Sequence, residues 1–174
     1  MMKEEIKTAL TASVRDFHLP RYREIPDVGL YLEQTVKYID NYLAPLGDIS
    51  LTGSMISNYV KKKLVTNPVK KQYSQEQIAY IIFIAVSKAA VSLDNLAMLI
   101  DMQKQTYAQD IAYDYFCDEL ENMIQYVFGL KAAPDSVGFD DTDEKVLLRQ
   151  IIVTAAHKIY LDKCFSLCQS SSTP

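Results

Sequence analysis

Two histidines and three cysteines are all that this 174-residue chain offers for metal or thiol chemistry. His18, beside Asp16 and ahead of Pro20, reads as a surface residue rather than a base. No Gly-x-Ser-x-Gly elbow and no glycine-rich phosphate loop occurs. The chain therefore reads as a non-enzyme, and nothing in it implies a cofactor. Cys117, Cys164 and Cys168 are odd in number and lack framework spacing, which points to thiols in a reducing compartment. Glycine (5) and proline (6) are also few, and with 49% hydrophobic residues and a net charge of −4 the composition excludes a disordered chain. Long apolar runs are absent. Residues 78–91 come nearest, but Tyr80, Ser87 and Lys88 interrupt them and they are too short to cross a bilayer. The start, Met-Met-Lys-Glu-Glu, lacks the basic-then-apolar layout of a signal peptide. A cytoplasmic protein with no membrane partner is the expectation.

Acidic residues are scarce in one stretch only. Residues 1–50 carry six basic and eight acidic side chains, and residues 91–174 carry six and thirteen. Residues 51–90 carry six basic side chains (Lys61, Lys62, Lys63, Lys70, Lys71 and Lys88) against the single acid Glu76. A short cationic segment thus sits inside an anionic protein, and local potential rather than total charge guides a polyanion. The competing reading is that these lysines merely solvate a helix end.

The rest of the chain is helical in pattern. Ile6, Leu10, Val14 and Phe17 suggest a weak first helix over residues 3–17. Pro20 and Pro26 make the following connector extended. Leu32, Val36, Ile39 and Leu43 form a helical stripe that Pro45 and Gly47 stop. A short helix fits residues 52–63, capped by Thr52 or Ser54, with Met55, Ile56, Tyr59 and Val60 inward. Residues 64–73 have strand-like ends around a turn-like centre, as a small wing would. Ser74 and Gln77 form a capping box for a core helix over 75–90 that is apolar almost all round. Ser92 and Asp94 open the next helix, residues 106–128 read as a long one, and Asp141 with Glu144 is spaced to cap a last helix over 142–168. The acidic run Asp135, Asp140, Asp141, Asp143, Glu144 lacks the spacing of a calcium loop and reads as capping and solvation. The tail, residues 169–174, is polar and is expected to be disordered.

The stretch SMISNYVKKKLVTNPVKKQYSQEQIAYIIFIAVSKAAVSLDNLAMLI, residues 54–100, resembles the MerR family of winged helix-turn-helix regulators. Tyr59 matches the recognition-helix tyrosine of that family, Leu64-Val65 its Leu-Leu end, and Pro68 with Lys70 and Lys71 its wing. Tyr73-Ser74 matches the closing tyrosine and next cap, and Ser92-Leu93-Asp94 the later cap. Ser57-Asn58 stands where the family has Arg-Tyr, Lys63 where it has glycine, and the wing is short. Residues 19–34, joined to Asn58-Tyr59-Val60-Lys61-Lys62, resemble a bacterial family catalogued only as a domain of unknown function, over roughly residues 19–103. The resemblance implies a transcriptional regulator binding double-stranded DNA. The expected fold is mainly α, a MerR-like winged helix-turn-helix with added N- and C-terminal helices and a small β wing at most. The expected division is 1–27, an N-terminal helix and connector; 28–103, the DNA-binding domain; and 104–174, a C-terminal helical extension packed on the same core.

The residue types agree with that role. Ser54, Ser57 and Asn58 are short polar side chains near the start of the short helix, whose free N–H groups suit a phosphate, and asparagine pairs bidentately with adenine. Lys61, Lys62, Lys70 and Lys71 suit phosphate contacts. Asn58 as a plain solvated residue is the bland alternative. Tyr107, Tyr113, Tyr115 and Tyr126 either pack in a core or line an aromatic effector pocket, though no effector is identified. The rival function is an all-helical protein-interaction or small-ligand module with a degenerate helix-turn-helix core. His157 and Cys164 lie about 10 Å apart along a helix, too far to share one metal ion, so small core residues are the reading for the cysteines. In the last helix, Leu148, Ile152, Ala155 and Ile159 form one apolar line and Val153, Ala156, Tyr160 and Leu167 another, which suggests a homodimer through the C-terminal helices.

Overall fold

The computed structural model describes residues 4–138 and 141–170. Asp140 of the acidic run and residues 171–174 of the tail lie outside the described residues. The chain is mainly helical: α1 (Glu4–Ser13), a 3₁₀ turn (Tyr22–Glu24), β1 (Leu30–Tyr31), α2 (Leu32–Leu43), a second 3₁₀ turn (Ala44–Leu46), α3 (Gly53–Lys61), β2 (Gln72–Tyr73), α4 (Gln75–Ser87), α5 (Leu93–Thr106), α6 (Gln109–Val127) and α7 (Asp143–Ser170). No described helix is long and apolar enough to cross a membrane.

The core is built around α4. Ile78, Ile81, Ile82 and Ile84 are fully buried, and Ala79, Ala85 and Val86 nearly so. A helix without a polar side must be covered on every side, and α5, α6 and α7 all pack on it. Ser74 and Gln77 cap it reciprocally, the serine Oγ accepting from Gln77 N and Gln77 Oε1 accepting from Ser74 N at 2.7 Å. The buried side chains form one continuous cluster that runs from Ile6 in α1 to Ile159 in α7.

Helix α7 spans 28 residues and packs on α1, α4, α5 and α6. Of its two apolar lines, Ile152, Ala155, Ala156 and Ile159 are buried inside this chain. Leu148, Tyr160 and Leu167 pack against the same core. Asp141, in the loop before α7, pairs with Arg149 of that helix at 2.6 Å, and Glu144 accepts from the Thr106 hydroxyl, which ties α7 to α5. The break between α5 and α6 falls at Tyr107, which is extended (φ −128, ψ 142); the Gln103 side chain donates to its carbonyl at 2.7 Å.

The connector ahead of β1 is held by acids of α6. Glu121 accepts from Leu19 N at 2.9 Å and Asp114 from Tyr22 N at 2.7 Å. Arg21 reaches both Glu121 and Asp118, and these acids raise its pKa further. The Tyr113 hydroxyl donates to Pro20 O at 2.9 Å. Asp114 and Asp118, unremarkable carboxylates in sequence, thus anchor a segment almost a hundred residues away.

Helix α3 ends in a Schellman motif: Lys63 N donates to Val60 O (2.9 Å) and Leu64 N to Tyr59 O (3.0 Å), with Lys63 left-handed at φ 62. That conformation favours glycine, and a side chain there costs about 1 kcal/mol. Replacing Lys63 with Gly is expected to raise unfolding free energy by up to about 1 kcal/mol, after the added chain entropy of glycine is deducted. Ile82→Ala in α4 should lower it by about 2–5 kcal/mol. Urea titration of the two variants checks both signs, and equal effects of the same sign would contradict this account of the core and the cap.

Candidate nucleic-acid interface

Helix α3 starts where Thr52, extended at φ −116, accepts from Met55 N at 3.2 Å. Gly53 sits against α2: a Cβ there would meet Leu32 Cδ2 at 3.1 Å, so the lack of a side chain lets the two helices approach. Leu51 N donates to Asp40 Oδ1 at 3.3 Å, which fixes the loop between them. Ile56 and Tyr59 face inward, 0% and 2% exposed, while Met55 and Val60 are half-buried. Ser54, Ser57, Asn58 and Lys61 are all exposed. Their spacing of three, four and seven residues puts them on a single helical stripe. Between Asp48 and Glu76 the chain has no acidic residue.

Beyond Leu64 and Val65, which are buried, the chain turns back in a tight hairpin. Val69 N donates to Gln72 O (3.2 Å) and Gln72 N to Val69 O (2.9 Å). The two loop residues are Lys70 (φ 51) and Lys71 (φ 64), both left-handed. Paired positive φ values belong to a type I′ turn, the two-residue connection that matches strand twist and favours Asn-Gly. β2 continues from this hairpin and pairs antiparallel with β1, Leu30 opposite Tyr73 and Tyr31 opposite Gln72. Gln77 braces the base: its Nε2 donates to Thr66 O, Thr66 Oγ1 and Asn67 O at 2.9 to 3.0 Å. All three non-glycine residues with positive φ among the described residues are lysines of the cationic segment, Lys63, Lys70 and Lys71.

The seven residues singled out from sequence form two groups. Ser54, Ser57, Asn58 and Lys61 share the α3 stripe, and Lys70 and Lys71 form the hairpin tip. Lys62 belongs cleanly to neither, because its Nζ lies 4.0 Å from Asp94 at the start of α5. That pair is exposed and worth at most about 1 kcal/mol. Asn58 also borders a groove of about 580 Å³ between α3 and the α4–α5 turn. Lys88 lines the same groove, with its Nζ 3.4 Å from Met55 Sδ, and burial lowers its pKa. Tyr59 lines it too. Its hydroxyl is buried without a hydrogen-bond partner, and burial pushes its pKa up to about 12. Lys88 went unselected in sequence because it sits at the end of the apolar helix. The exposed Val28, Tyr31 and Val69 around the small sheet were equally unmarked.

Elsewhere, no group of three or more His, Cys, Asp or Glu side chains among the described residues stands close enough to hold a metal ion. Cys117 is buried in the core and its thiol is pushed up to about 12 by burial.

No curated protein and no solved structure matches this chain. A family model described as a domain of unknown function, DUF1836, matches residues 20–119, more than half of the chain. The matched span starts at Pro20 in the connector and ends within α6, so it includes Asp114 and Asp118, two of the acids that hold that connector. The chain is a member of the DUF1836 family.

Proposed function

We propose that this protein is a transcriptional regulator that binds double-stranded DNA through a MerR-like winged helix-turn-helix. Helices α2 and α3 form the helix-turn-helix, α3 enters the major groove, and the 69–72 hairpin is the wing. The observation that carries the reading is the pairing of an exposed polar stripe on α3 with a hairpin tip made of two lysines. Ser57 and Asn58 face base edges, where a bidentate asparagine discriminates adenine. Lys61, Lys70 and Lys71 contact phosphates, which supply affinity and register rather than sequence choice. The strained backbone at the tip supports a functional role, since residues held in sparsely populated conformations cluster at binding sites. The acidic C-terminal half does not cancel the attraction, because screening confines its repulsion to about 8–10 Å at ordinary ionic strength.

The same reading includes a homodimer that offers two α3 helices to two half-sites. The apolar lines of α7 are turned mostly inward, so the dimer face falls to side chains that α7 and α5 leave exposed: Leu147 with Met98 beside it across a shallow groove, and Val146, Leu161 and Phe165 elsewhere on α7. Sedimentation at micromolar concentration should give a dimer, and Leu147→Glu should shift it to monomer. A wild-type protein that sediments only as a monomer removes this part of the proposal.

The DNA contacts are tested with variants that respect the turn. Replacing Lys70-Lys71 by Asn-Gly keeps the type I′ hairpin and removes both charges. Its binding to preferred and random duplexes should weaken equally, and the salt slope should fall by about one per lost contact. Asn58→Ala should cost about 1–3 kcal/mol on the preferred site and little on random DNA. Salt titration of both variants on both duplexes reads this out. Absence of duplex affinity in the wild type at low salt, or an unchanged slope in the Asn-Gly variant, overturns the reading.

A further inference from the structure

A cavity of about 130 Å³ lies between α4, α5, α6 and the start of α7. Aromatic side chains dominate its wall, with Phe83 and Phe116 meeting edge to face at 5.2 Å and Tyr80, Tyr107, Tyr113 and Tyr115 around them. Three of the four tyrosines weighed in sequence as a pocket lining are therefore present, while Tyr126 lies elsewhere and is 39% exposed. A volume of this order is that of one aromatic ring: apolar cavities of about 150 Å³ take up benzene. It is well below the roughly 300–1,000 Å³ of pockets that hold nucleotides or larger cofactors.

The polar atoms of the wall are committed almost without exception. The Tyr80 hydroxyl donates to Gln103 Oε1 at 2.9 Å, Gln103 Nε2 donates to Tyr107 O, and the Tyr113 hydroxyl donates to Pro20 O. The Tyr107 hydroxyl meets Thr142 Oγ1 at 3.0 Å, and Arg149 Nε donates to the Tyr115 hydroxyl at 3.0 Å. Gln109 is the exception. Its Nε2 donates to Glu76 O at 2.8 Å, which fixes the orientation of the amide. Its Oε1 is buried and accepts nothing. Almost none of its surface is open, so an occupant of the cavity does not reach it as the wall stands. Charge narrows the class further. Lys145 sits 4.6 Å above the Tyr115 ring and 5.2 Å above Tyr107, and Lys104 lies 5.5 Å from Tyr80. These ammonium groups already occupy the aromatic faces and repel a cationic ligand, while the Glu144 carboxylate, also part of the wall, repels an anionic one. Ile111, 60% exposed, borders the cavity on the solvent side and gives an apolar rim.

We propose that this cavity is a binding site for a small, neutral, single-ring aromatic molecule, with the ring against Phe83 and Phe116. The site is separate from the cationic face and does not rest on DNA binding.

The test uses the full-length protein without DNA, with phenol and toluene as probes and heteronuclear NMR as the readout. Both probes should bind the wild type in fast exchange and shift the methyls of Ala79, Ile100 and Leu148. Ala112→Phe, which fills the cavity, should weaken both probes at least tenfold. Failure of either probe to shift these methyls at millimolar concentration overturns the proposal, and needs no variant. Undiminished binding by a folded Ala112→Phe variant overturns it as well.

Discussion

Ile78, Ile81, Ile82 and Ile84 leave α4 with no side that water can cover, and the rest of the architecture follows from enclosing it. A helix of this kind needs neighbours all round. The chain supplies α5, α6 and α7 from its C-terminal half and the connector and α2–α3 pair from its N-terminal half. One continuous core results from this enclosure. It also explains why the acids of α6 reach back to the connector. Once α6 lies on α4, Asp114, Asp118 and Glu121 stand where the chain enters; Asp114 and Glu121 satisfy backbone N–H groups that burial would otherwise leave unpaired, and Asp118 pairs with Arg21.

Gln77 links that core to the exposed elements. As the third residue of α4 it completes the cap with Ser74, and its amide N–H groups hold the carbonyls at the base of the hairpin. The hairpin is thus hung from the end of the most deeply buried helix. Farther along the same helix, Ala79, Tyr80 and Phe83 form part of the aromatic cavity. The two exposed features, hairpin and cavity, therefore share α4 as a common wall.

Elements whose ends are written locally were legible in the sequence. Thr52, Ser74 and Ser92 each cap a helix through their own side chains, and the apolar character of α4 announced a core helix. Ends set by tertiary contact were less legible. The first helix stops at Ser13, although Val14 and Phe17 continue the apolar pattern into the core. The core helix ends at Ser87 rather than residue 90, because Lys88 begins the turn into α5. The strand Leu30–Tyr31 has no alternating pattern of its own and exists only by pairing with Gln72–Tyr73. The two apolar lines of α7 could not be apportioned between internal and external partners, since periodicity records that a face is covered and not by what. Of the candidate site, the α3 stripe and the lysine tip were readable from spacing. The engagement of Lys62 by Asp94 and the placement of Lys88 were not, because both depend on how α3 meets the α4–α5 turn.

The left-handed lysines have a consequence for proteolysis. Lys63, Lys70 and Lys71 are exposed, so on accessibility alone they are ready sites for trypsin. Proteases of this type bind their substrate as an extended strand. Here each of the three is folded into a helix cap or a two-residue turn, with neighbouring amides hydrogen-bonded across it. Cleavage therefore requires the cap or the hairpin to open first, and its rate measures the local unfolding equilibrium of that cap or hairpin rather than its surface exposure. The backbone geometry that concentrates positive charge at the tip also shields those lysines from the enzyme that recognises them.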